Sequence, residues 1–150
     1  MANWETPIYD RTQADIDYAL ATLASWKESG KVTTSPLKGC LNVNDLNRIE
    51  NNIKYLSDEL ASVCYFPHAV TKAWETNGLP DVTDVSRIIG NIKKIISAFY
   101  QDSSAPELPE TMLRFEHINA IEENLYLLKE MLDNTIGLFR ECGTFNCGED

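Results

Sequence analysis

Two glutamates, Glu50 and Glu122, occupy equivalent places in a repeated pattern, and a pair of carboxylates is the minimum equipment for acid and base work on a glycosidic bond. Each follows an asparagine by three positions, Asn47 and Asn119, and precedes another by two, Asn52 and Asn124; Asn91 holds the same place in a third copy. The first copy has Thr22 there. Asn is a poor helix former, so its recurrence implies bonding work. The reading favoured here is structural, amides that satisfy a neighbouring loop or helix end. The sharper alternative is a polar strip that recognises a partner. Duplication accounts for the matching glutamates more simply than a two-acid cell-wall hydrolase does, so no catalytic residue is nominated and the chain is expected not to be an enzyme. Arg48-Ile49-Glu50 reads as a mixed-charge surface pattern.

Other chemistry finds little support. The four cysteines, Cys40, Cys64, Cys142 and Cys147, include no C-x-x-C pair, and reduced thiols are expected, with Cys40 and Cys64 as small, partly buried apolar residues. Cys142 and Cys147 could close a small loop, or take a soft metal if another chain supplied two ligands. His68 and His117 have no Cys, Asp or Glu at ligand spacing on a shared helix face, and no phosphate-binding, nucleotide-binding, nucleophile-elbow or zinc-protease motif occurs. No metal and no cofactor are expected. The aromatics Trp4, Trp26, Trp74, Tyr55, Tyr65, Phe66 and Tyr100 read as core or loop packing before partner anchors.

These residues ride on an apolar spacing of alternating threes and fours that recurs four times, which is the stripe of an amphipathic helix. The stripes begin at Ile16 (with Ala19, Leu23, Trp26), Leu46 (Ile49, Ile53, Leu56, Leu60, Val63), Val85 (Ile88, Ile92, Ile95, Phe99) and Ile118 (Ile121, Leu125, Leu128, Leu132). Thr12, Asn42 and Asp81 each precede an Asp by three positions, as in a capping box, and so mark three helix starts. The fourth start is looser, with Thr111, Glu110 or Glu116 as candidates. Gly, Pro and polar residues mark connections at 29–41, 66–80 and 102–109, the last expected to be mobile or extended; residues 69–76 are a candidate for one short extra helix. Single stripes must bury against one another. The expectation is an all-α, antiparallel helical bundle of about four main helices with long connections, one domain over 1–150 with a short mobile N-terminus and a Gly- and Cys-containing tail. The first stripe is weak, so its helix either packs loosely or relies on Trp26.

The 150 residues carry 23 acids against 13 bases, a formal charge of -10, which disfavours nucleic acid or an anionic membrane as partner. No run approaches the roughly 20 apolar residues of a spanning helix. The opening Met1-Ala2-Asn3-Trp4-Glu5 lacks the parts of a signal peptide, so export by that route is not expected.

Three stretches, WETPIYDRTQAD from Trp4 to Asp15, LKGCLNVNDLNRIENNIKYL from Leu37 to Leu56 and INAIEENL from Ile118 to Leu125, resemble minor structural proteins of the tail or baseplate region of tailed bacteriophages and prophages of Gram-positive bacteria. The Gly-x-Phe-x-Cys-Gly ending at Gly143 to Gly148 shares that likeness. The resemblance implies a non-enzymatic virion protein, assembled in the host bacterial cytoplasm, that docks other tail or baseplate subunits as a homo-oligomer or in several copies. The alternative, raised by the charge, is a small acidic phage-encoded inhibitor or regulator that binds a host protein.

Overall fold

The computed structural model describes residues 2–32, 37–76, 78–99 and 101–142, with the side chains of 139–142 outside that description. It contains four helices, α1 (Gln13–Ser29), α2 (Val43–Val63), α3 (Val82–Ala98) and α4 (Phe115–Cys142), and no strand among the described residues. The chain is an all-α helical bundle with long connections. The expectations for residue 100, the Cys142 thiol and the tail from 143 lie outside the described residues.

Three helices begin where cap chemistry places them. Thr12, Asn42 and Asp81 each accept from the amide three residues on, while Asp15, Asp45 and Asp84 accept in return from the cap amide. At the fourth start, Thr111 meets the His117 ring at 3.0 Å instead. Helix α1 stops at Gly30, whose φ of +66° is a conformation that glycine adopts without strain.

The core is three stripes. Leu46, Ile49, Ile53, Leu56 and Leu60 of α2 meet Ile88, Ile92 and Ile95 of α3 and Ile118, Ile121, Leu125, Leu128 and Leu132 of α4, all buried. Helices α2, α3 and α4 pack pairwise, and α1 shares no comparable interface. Of its stripe only Ala19 is buried, Ile16 and Trp26 are half-buried and Leu23 is exposed, so the first helix packs loosely. It is held at its start, where Gly39 passes so close that a Cβ would stand 2.2 Å from the Asp15 carbonyl oxygen.

The direction of the helices corrects the antiparallel expectation: α2, α3 and α4 run parallel. Arg48 of α2 pairs with Glu122 of α4, and one heptad higher Lys129 lies 5.2 Å from the ring of Tyr55; in both cases the partner is 74 positions on. The same offset at two levels is possible only for helices of one direction. Between α2 and α3, residues 69–74 descend from Ser57 to Asn47 along one helix and from Asn91 to Asp84 along the other. Helix α2 is about 30 Å long at 1.5 Å per residue, and about ten extended residues return the chain over that distance.

The extended return also removes the short extra helix expected over 69–76. Those residues are a strap whose backbone bonds are taken by side chains of α2 and α3 rather than by one another. The opening residues, expected to be mobile, form a second strap along α2 and α4. Residues 101–113 form a third, bonded to α4 through Asn124. Parallel helices align their dipoles rather than cancel them, and the acids Asp45, Asp84 and Glu116 in the first turns offset the gathered positive ends.

Candidate functional site

Every member of the polar strip faces one of the straps. Asn47 accepts from the Trp74 amide at 2.8 Å and donates to the Trp74 carbonyl at 3.1 Å. Asn119 does the same for Arg11, at 3.2 and 2.9 Å. Asn52 does so for Glu5, at 2.9 and 2.8 Å. Such a two-point amide clamp reads a backbone and no side chain. Asn91 donates to the Val70 carbonyl and Asn124 to the Pro106 carbonyl, at 2.9 and 2.8 Å. Thr22, at the matching place in α1, bonds only the Tyr18 carbonyl of its own helix.

The two glutamates tie helices together as well as straps. Glu122, fully buried, takes two bonds from the Arg48 guanidinium, at 2.9 and 2.6 Å, one from Arg11 at 3.2 Å and one from the Ile8 amide at 2.7 Å. Asp45 completes the cluster, receiving Arg11 at 2.9 Å and Arg48 at 2.6 Å. Burial by itself would lower the Arg48 pKa, but the carboxylates of Glu122 and Asp45 override it and hold the guanidinium above its ordinary range. Two arginines and two acids thus neutralise one another inside the bundle, and Arg11, Asp45 and Glu122 each make a further hydrogen bond to a backbone group. Glu50 repeats the arrangement one helix over, receiving Arg87 of α3 at 2.9 and 2.6 Å and the indole of Trp74 at 3.2 Å.

Here the sequence reading needs correction at Arg48 and Glu50. They are buried, not part of a solvated mixed-charge face. Arg11, Asp45, Arg48 and Arg87 join the polar strip in these bonds, and the sequence carries a signal for three of them: Asp-x-x-Arg recurs at 45–48 and at 84–87. Arg11 had none, because its partners lie 34 and 111 positions away.

The bonds place three strap-and-helix units in a ring. Two of the straps are clamped first by the helix that follows in the ring and then by the one that precedes: Glu5 by Asn52 and Arg11 by Asn119, Val70 by Asn91 and Trp74 by Asn47; the third meets its following helix at Asn124. The strap at 4–11 therefore belongs with α2, and α1, with residues 37–41 beside its start, stands outside the ring. Helix α1 repeats the spacing of the others without taking their place.

Elsewhere, Trp4 stacks edge-on against Tyr55 with ring centroids 5.7 Å apart, under the Lys129 ammonium. Trp74 is buried, whereas Tyr65 is fully exposed. Cys64 is exposed rather than partly buried, because α2 ends one residue before it; Cys40 is half-buried, and burial raises its thiol pKa, with the Asp45 charge adding to it. Among the described residues no group of three His, Cys, Asp or Glu could hold a metal ion, and no helix is long and apolar enough to cross a membrane.

Fold and site together define a class: a parallel three-helix bundle whose return straps are fastened by amide clamps and buried arginine–carboxylate pairs. No known protein family, curated protein or solved structure matches the chain.

Proposed function

We propose that this chain is a non-enzymatic structural and interaction module of a phage particle, a tail or baseplate component that docks other virion subunits and is present in several copies. What supports the reading most is where the polar residues are spent. Asn47, Glu50, Asn52, Asn91, Asn119, Glu122 and Asn124 are all engaged with the chain's own straps and arginines, as a rigid scaffold requires and a two-acid hydrolase does not. The stretches that carry the likeness to tail proteins include the strap at 4–11, the capping box and both clamps of α2, and the clamp residues of α4. Against this inner economy stand apolar side chains left outside, Leu79, Val82 and Leu113 among them, each more than 80 % exposed. A weak contact repeated around a tail ring gains strength by multiplicity.

Mass spectrometry of purified particles, with copy number taken against a major tail protein, tests the reading. A fixed small multiple is expected. Abundance in infected cells with absence from particles would refute it and bring the acidic inhibitor to the front.

A further inference from the structure

The three strap grooves are not equal. Two of them have a clamp from each wall and a buried glutamate paired with an arginine across the helices: α2/α4, with Asn52, Asn119 and Arg48–Glu122, and α2/α3, with Asn91, Asn47 and Arg87–Glu50. In the third, α3/α4, the register puts Ser86 where the second clamp belongs, Ile89 where the glutamate belongs and Ala120 where the arginine belongs. Among the described residues, Asn124 fastens this strap to α4 and no side-chain hydrogen bond fastens it to α3.

On that α3 side lies an open cleft of about 180 Å³, lined by Val82 and Val85 of the first α3 turns and by Met112 and Leu113 at the strap's end. Val82 is 82 % and Leu113 87 % exposed. The charged residues on its rim are Asp81 and Glu110, both acidic, and the neighbouring Arg114 turns away to Glu116 at 3.2 Å. Apolar walls with an acidic rim on a chain of charge -10 favour a cationic partner and disfavour a second copy of this chain.

We propose that this cleft docks an extended segment of another protein that offers an aliphatic side chain beside a lysine or arginine. The aliphatic group fills the space between Val82, Val85 and Met112, and the cation sits against Glu110. The segment lies along α3 where the third strap lacks its second clamp. Placing that segment on a virion subunit rests on the function proposed above; the cleft's preference does not.

The test is a nuclear magnetic resonance titration of the ¹⁵N-labelled full chain with a synthetic probe, acetyl-Gly-Lys-Leu-Lys-Gly-amide. Shifts are expected to centre on residues 80–85 and 110–113 and to fade with added salt. Val82→Asp should weaken binding about tenfold while leaving the fold intact, since an acid suits the first position of a helix. Glu110→Lys should weaken it by up to about fivefold. Absence of binding, or shifts scattered over the acidic surface and indifferent to Val82→Asp, would overturn the proposal. Binding at the cleft by a protein absent from particles would leave the docking site standing and remove only its virion setting.

Discussion

The buried cluster at Glu122 sets a sharp expectation for a change of one atom type. Glu122→Gln keeps the shape but leaves Arg11 and Arg48, whose side chains are 3 % and 9 % exposed, facing Asp45 as their one remaining carboxylate in the cluster. Breaking a buried pair in this way costs about 3–5 kcal/mol, because the orphaned charge stays desolvated. For a chain of this length that lowers Tm by about 6–20 °C. The paired variant Glu50→Gln should cost about 1.5–3 kcal/mol, since Arg87 is 20 % exposed and keeps Asp84 at 3.3 Å. The double variant Arg48→Met with Glu122→Met leaves Arg11 and Asp45 balanced and should be more stable than Glu122→Gln alone. Urea unfolding followed by circular dichroism gives the energies. Hydrogen exchange should show the Ile8 and Arg11 amides losing protection, while Trp74 in the other strap does not. A Glu122→Gln protein within about 1 kcal/mol of the parent, or less affected than Glu50→Gln, would refute the account of the cluster.

Three further expectations follow from the same geometry. Asn52→Ala, which frees both backbone groups of Glu5, should cost about 1–3 kcal/mol in urea unfolding, whereas the exposed neighbour Asn51→Ala should cost under about 0.5 kcal/mol. The Asp84 carboxyl is held below its ordinary value of 3.8, first by Lys72 and then by Arg87 and the Asp81 amide. Its contribution is therefore present above that value and lost as the pH falls through the lowered one, and Asp84→Asn should flatten the decline of the urea midpoint between about pH 5 and pH 2. Asp10, Asp15 and Asp102 are lowered as well, so part of the decline remains. A maleimide pulse followed by peptide mapping should label exposed Cys64 before Cys40, whose thiol burial pushes up; equal labelling would contradict the placement of the 37–41 loop against α1.

Helix direction shows why one level of structure does not dictate the next. The periodic stripes and three capping boxes are local, set by residues within four positions of one another, and the helices begin there. Orientation depends on what the connections do. Residues 66–80 are long enough to cross back along α2, but their Ala-Val-Thr-Lys-Ala-Trp-Glu run has helical propensity, and side chains of α2 and α3, among them Asn47 and Asn91, 27 and 21 positions away, hold it extended. The same distance hid the partner of Arg48. Beside Glu50 and Lys54 it reads as one charge among others, yet Glu122 is 74 positions on.

The sequence by itself determined the helical class, the three capped starts, the stripes that became the core and the matching positions of Asn47, Asn52, Asn91, Asn119 and Asn124, because period and cap chemistry are written in neighbouring residues. The tertiary structure alone decided that the three core helices run parallel, that α1 stands aside from their ring and that Arg11, Asp45 and Arg48 form a buried charge cluster with Glu122. Those outcomes rest on contacts of 12 to 114 positions' separation, whose energy exists only once the straps have returned along the helices and shut out water.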